Sequence, residues 1–143
     1  MRRLMIINIL FLSLYSFAQT DTTDKEKVEE KIVFFAEKVA EFPGGQNAFA
    51  QYISRNLKYP ELAKENNVQG KVYIQFDIDT AGNVVNAEVM AKRLIGEGAE
   101  KDDYCLGKCA LDVIANSPRW EPAMQRGKKV KMRMRIPISF KLQ

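Results

Sequence analysis

Strict alternation between residues 71 and 79 constrains this chain more than any other feature. Val72, Ile74, Phe76 and Ile78 fall on one side of a period-two ladder, and Lys71, Tyr73, Gln75, Asp77 and Asp79 fall on the other. This is the pattern of a strand with one face against a core. Asp79-Thr80-Ala81-Gly82-Asn83 follows, a short loop in which Gly82 can take a positive φ, and the alternation resumes with Val85, Ala87 and Val89. Two such runs joined by a few residues containing glycine predict an antiparallel hairpin with a bulged turn. A two-stranded hairpin is marginal alone, so the stretch from Tyr59 to Met90 needs helices and further strands around it.

The flanking residues supply both. Phe42-Pro43-Gly44-Gly45 is a break, after which Phe49, Tyr52, Ile53 and Leu57 recur at helical spacing. Pro60 ends that helix and opens a second, short one with Leu62 and Ala63 inward. Beyond the hairpin, 96–103 reads as a polar loop. Leu106, Cys109, Ala110, Val113 and Ile114 then form a helical stripe, capped by Asp102 or Asp103 and stopped by Ser117-Pro118. Arg119-Trp120-Glu121-Pro122 is a rigid connector whose Trp120 is expected to be structural, closing one end of the core.

The run 129–142 alternates better than any other. Val130, Met132, Met134, Ile136, Ile138, Phe140 and Leu142 share one face, opposite Lys129, Lys131, Arg133, Arg135, Pro137, Ser139 and Lys141. Strand-strand-helix-strand with a right-handed crossover puts the first strand between the other two. The expected fold is therefore α+β: a three-stranded, antiparallel-type mixed sheet in the order 2-1-3, with helices on one face. A further helix and a short strand are expected upstream. Pro137 marks the last strand as an edge, because a missing N–H is tolerated only at a free edge or a bulge. Backbone groups of alternate residues point to opposite sides of a strand. Pro137 therefore assigns Lys131, Arg133 and Arg135 an outward-facing backbone, and Val130, Met132, Met134 and Ile136 an inward one.

Residues 1–18 read as a secretory signal peptide. Arg2 and Arg3 precede an apolar run from Leu4 to Phe17, and Ser16-Phe17-Ala18 ends it with small residues at the positions a signal peptidase reads. A retained membrane anchor is the competing reading, but such a run reaches only about 22 Å as a helix, against a hydrocarbon core of roughly 30 Å. Cleavage after Ala18 leaves 20 basic and 18 acidic side chains, a net charge of +2. Export weakens the nucleic-acid reading that a pI near 9 invites, and no nucleic-acid partner is expected. Residues 19–41 form a charged lead-in that starts as a polar, disordered stretch. Its run Ile32-Val33-Phe34-Phe35, which periodicity leaves open between a short strand and part of a helix, is apolar enough to be an aggregation hazard if unpaired, which argues that it docks somewhere; the domain proper is expected at 42–143.

Chemistry can mostly be set aside. The chain has no His, which removes the commonest general base and metal ligand, and it has no phosphate loop. Asp77-x-Asp79-x-x-Gly82-Asn83 resembles a Ca²⁺ loop only faintly, lacking the distal bidentate Glu; a hairpin turn explains it. Neither an enzyme nor a cofactor is expected. Cys105 and Cys109 lack the two-residue spacing of redox motifs. That leaves a small disulfide at the helix start, or one buried cysteine beside an exposed one.

A resemblance runs through these same segments. Tyr59-Pro60, Val68-Gln69-Gly70-Lys71-Val72, Phe76-Asp77-Ile78-Asp79, Gly82-Asn83-Val84, Pro118-Arg119-Trp120-Glu121-Pro122, Arg126-Gly127-Lys128 and Ile136-Pro137-Ile138-Ser139-Phe140 resemble, in order and spacing, the C-terminal domain of the TonB family. Phe42-Pro43-Gly44-Gly45 resembles the lead-in of one branch of it. The resemblance implies a periplasmic module that binds a segment of a TonB-dependent outer-membrane transporter as an added strand and passes on force from an inner-membrane motor. Lys131, Arg133, Arg135 and Pro137 are then the expected partner-binding edge. The motor is implied only if the chain stays anchored. Just 23 residues without proline separate Ala18 from Phe42, a span of about 80 Å at full extension. The alternative is an exported scaffold acting at the cell wall or through a homodimer.

Overall fold

The computed structural model describes residues 31–143; the expected signal peptide lies outside them. The hairpin is its centre. Strand β1 (Gln69–Ile78) pairs antiparallel with β2 (Val84–Ile95) on one side. On its other side it pairs antiparallel with β5 (Met132–Phe140), so the sheet order is β2-β1-β5. The last strand of the chain thus lies at an edge, parallel to β2, as Pro137 and the crossover argument require.

Val72, Ile74, Phe76 and Ile78 are all fully buried. Helix α3 (Leu106–Ala115) lies over β1 and β2 and buries Leu106, Ala110, Val113 and Ile114 against them. Asp103 holds its start: one carboxylate oxygen accepts from the Cys105 N–H, and the other accepts from the Gly107 N–H and from Lys92 Nζ at 2.8 Å. Helix α1 (Gly45–Asn56) adds Phe49, Tyr52 and Ile53 to the core margin. In the short α2 (Glu61–Glu65), Ala63 is buried but Leu62 is exposed, contrary to expectation, because one turn cannot turn two adjacent side chains to one face.

Two strands depart from simple alternation. In β2, Asn86 takes a φ of 53° at a bulge, and a second shift in register falls at Met90. Each bulge moves the following side chains to the other face. Val84, Ala87, Val89 and Leu94 therefore meet the core while Val85 does not. The run 129–142 is not one strand. It breaks at Lys131: β4 (Lys128–Val130) turns back through Arg126-Gly127 to pair with β3 (Ala123–Gln125), and only β5 joins β1. Val130 accordingly pairs with Ala123, not with β1.

Trp120, just before this second hairpin in the chain, is buried. Its ring lies 5.5 Å from Phe42, Phe49 and Phe76, and its indole N–H donates to Ser117 Oγ at 3.0 Å. Its backbone N–H donates to the Gly82 carbonyl at 2.8 Å, tying the connector to the β1–β2 turn. Asp79 is spent on that turn, its Oδ1 accepting from the N–H groups of Ala81 and Asn83.

Candidate functional site

Strand β5 leaves one side of its backbone away from β1. The register sets Pro137 opposite Tyr73 and Arg133 opposite Asp77. Alternation gives Arg133, Arg135 and Ser139 the outward side, in line with the parity that Pro137 dictates. Arg135 and Ser139 have no backbone partner there among the described residues.

The N-terminal end of the same edge is occupied. Val33 forms a parallel bridge to Met132: its N–H donates to the Lys131 carbonyl, and its carbonyl accepts from the Arg133 N–H, both at 2.9 Å. Lys131 and Arg133 were both expected to offer free backbone groups to a partner; in this structure the lead-in takes them. The upstream run, expected as a short strand, forms this single bridge instead. Farther on, Lys38 and Glu41 bridge to Met124 and Glu121, and Ala40 enters the core.

The basic stripe is not simply solvated. Arg133 Nε and Nη2 donate to the two carboxylate oxygens of Asp77 at 2.8 and 3.2 Å, and Asn86 Nδ2 donates to the same group at 3.2 Å. Asp77 has no exposed surface, although it stands on the sheet face away from the helices. Burial pushes its carboxyl pKa up. The hydrogen bonds from Arg133 and Asn86, with the charges of Arg133 and Lys131, outweigh that and hold it below the ordinary carboxylate value. Arg135 Nε donates to Gln75 Oε1, and Gln75 Nε2 donates to Glu88 Oε1, a relay across all three strands. The Phe34 ring lies 5.8 Å from the Arg133 guanidinium and 5.9 Å from that of Arg135.

On the helix side, the open part of the edge is flanked by two depressions of about 420 and 450 Å³. Phe42, Trp120, Met134 and Ile136 line the first; Ile53, Leu57, Tyr59 and Ile138 line the second; Phe49 and Pro137 border both. An exposed row of backbone groups beside an apolar trough is the geometry into which an extended peptide adds as a strand.

Cys105 and Cys109 are both free. Cys105 sits exposed at the helix start with a φ of 66°, and Cys109 is half-buried, so the unbridged alternative describes them. Cys105 precedes α3 and Cys109 lies on it, both apart from β5.

A family model describing the C-terminal domain of the Gram-negative bacterial TonB protein matches residues 55–142. The chain belongs to the TonB C-terminal family. The match takes in the whole sheet, α3, Trp120 and all of β5. It leaves out Val33, Phe34 and Phe42, so the segment seated on the edge is an addition to the family span. Among solved structures, the solution structure of the Helicobacter pylori TonB C-terminal domain is similar at 23% identity, covering 71% of this chain and 89% of that one, with a TM-score of 0.42. Comparison with curated proteins gives no match. Among the described residues of this TonB-family chain, no helix is long and apolar enough to cross a membrane.

Sequence reasoning placed the edge and missed two of its features. Nothing marked Val33 as the residue that seats on it, beyond the β-branched and aromatic run around it. Asp77 was assigned to the solvent face with no sign of its partner.

Proposed function

We propose that this TonB-family domain is a periplasmic partner-binding module that docks a short extended segment of an outer-membrane TonB-dependent transporter on β5, between Arg135 and Ser139. The observation that carries the reading is the Arg135 N–H, an outward donor on an edge strand, without a backbone partner among the described residues and beside an apolar trough. Main-chain hydrogen bonds supply affinity in strand addition, and alternate side chains entering pockets supply selectivity. Residues 31–143 provide the docking; coupling to an inner-membrane motor depends on the N-terminal segment.

The test separates backbone from side chain at one position. Both Arg135→Ala and Arg135→Pro lose the contact with Gln75, but only the proline deletes the outward N–H. Synthetic peptides from the periplasm-facing N-terminal segments of transporters of the same bacterium are titrated against each, with circular dichroism confirming the fold. Arg135→Ala is expected to bind within about threefold of wild type, and Arg135→Pro to bind about tenfold or more weakly, the consequence of one unsatisfied acceptor. Equal affinity of the two folded variants would remove this edge as the docking site.

A further inference from the structure

The lead-in is held to the domain at two very different strengths. Lys38 and Glu41 each exchange two backbone hydrogen bonds, of 2.8–3.1 Å, with Met124 and Glu121, while Ala40 and Phe42 are buried. The outer part, 32–35, has the two bonds of Val33, the half-buried Val33 side chain against the core margin, and the Phe34 ring over Arg133 and Arg135, with no residue fully buried. Phe34 is half exposed and Phe35 is 89% exposed. Between the parts, an exposed hydrogen bond of 3.3 Å runs from the Arg126 N–H to Glu37 Oε2. The outer part can therefore leave while the inner part stays.

It sits where an added strand would sit. Val33 runs parallel to β5 and uses Lys131 and Arg133, the first outward groups of the edge that continues open at Arg135. We infer that residues 32–34 are a tethered occupant of the β5 edge, an internal strand that an incoming segment displaces to pair along the whole of β5. A tether this short holds its strand at roughly millimolar effective concentration, so even a weak strand keeps the edge mostly closed. Apparent affinity falls by the fraction of time the site is open, and the lead-in thereby sets a threshold for partners. The inference rests on the docking reading for its biological meaning, but its physical content can be tested apart from it.

Two substitutions in the full chain open the edge: Val33→Pro deletes the donor to Lys131, and Phe34→Ala removes the ring from the two arginines. Both lie outside the sheet, and circular dichroism checks the fold. The probe is a labelled synthetic peptide of residues 31–38, added in trans. The doubly substituted chain is expected to bind it about tenfold more tightly than wild type, as for an edge occupied about nine-tenths of the time. Its Arg133 amide should exchange faster without the peptide and slow when the peptide binds. Equal binding of the probe by the two chains, or unchanged Arg133 exchange, overturns the inference. Transporter peptides titrated in parallel distinguish the two readings. If the opened chain binds the lead-in peptide but no transporter segment, the docking reading falls and the internal strand stands. If transporter segments bind both chains equally, they use the open half alone and displacement is refuted.

Discussion

Arg133 on β5 and Asp77 on β1 stand opposite each other in register, their charged groups 2.8 Å apart at the closest. The carboxylate is fully buried on a face that would otherwise meet water, and Arg133 and Asn86 are its cover. Removing one partner of such a pair strands the other charge away from solvent. Arg133→Ala should therefore damage the fold before it affects any binding, lowering the melting temperature by about 5 °C or more. Arg135→Ala, which loses only an exposed contact to Gln75, should stay close to wild type. Thermal melts of the two variants side by side check this; equal melting temperatures would contradict it.

The same pair sets an acid limb. The pKa of Asp77 is lower in the folded chain than its unfolded value of about 3.9, so its contribution is complete above that value and is lost as pH falls through the folded one. Asp103 behaves alike: burial raises its pKa, but Lys92 and the N–H groups of Gly107 and Cys105 lower it further. Wild type should be more stable than Asp77→Asn at pH 7, and the gap should narrow below about pH 4. Denaturant midpoints measured between pH 7 and pH 3 decide it, and a constant gap would refute the assignment.

Trp120→Ala should cost about 3–5 kcal/mol, the usual range for emptying a buried aromatic site. Gly82→Ala should also destabilise. Gly82 has a φ of 87°, and a Cβ there would fall 2.0 Å from the Trp120 carbonyl oxygen, which is backbone and cannot swing aside. Urea unfolding measures both, and an unchanged midpoint for Trp120→Ala would deny its structural role.

The thiols should differ in reactivity. Cys105 is exposed, whereas burial, followed by the charges of Cys105 and Asp112, pushes the Cys109 thiol up. Since the thiolate is the reactive form, alkylation followed by peptide mapping should label Cys105 several times faster. Equal rates would place Cys109 in solvent.

The hairpin, the α3 stripe and the edge position of β5 were legible because each is written in a local period or in one proline. The break at Lys131 was hidden by the unbroken alternation from Val130 to Leu142: β4 and β5 share a face pattern but not a partner. Only Arg126-Gly127, both at positive φ, betrays the turn that separates them. The phase of β2 was misjudged at Val85 because a bulge at a non-glycine residue leaves no periodic trace. Asp77 and Arg133 are 56 residues apart, and no property of either names the other until the register of β1 against β5 is known. For Val33, a four-residue apolar run is ambiguous between helix and strand, and only the exposed edge resolves where it goes.

The placement of β1 has a consequence for the order in which the structure can close. This central strand has β2 directly after it but must wait for its other neighbour until the rest of the chain has appeared. A chain delivered from its N-terminal end holds a half-paired β1 through the making of β2, α3 and the β3–β4 hairpin. The lead-in, which emerges before the sheet, is among the last to settle, because its seat is on β5. Closure of so distant a pair is a slow step, and until it happens Ile32–Phe35 and the open side of β1 are both exposed. Substitutions along the β1–β5 seam should therefore be felt in expression yield even where the finished domain tolerates them.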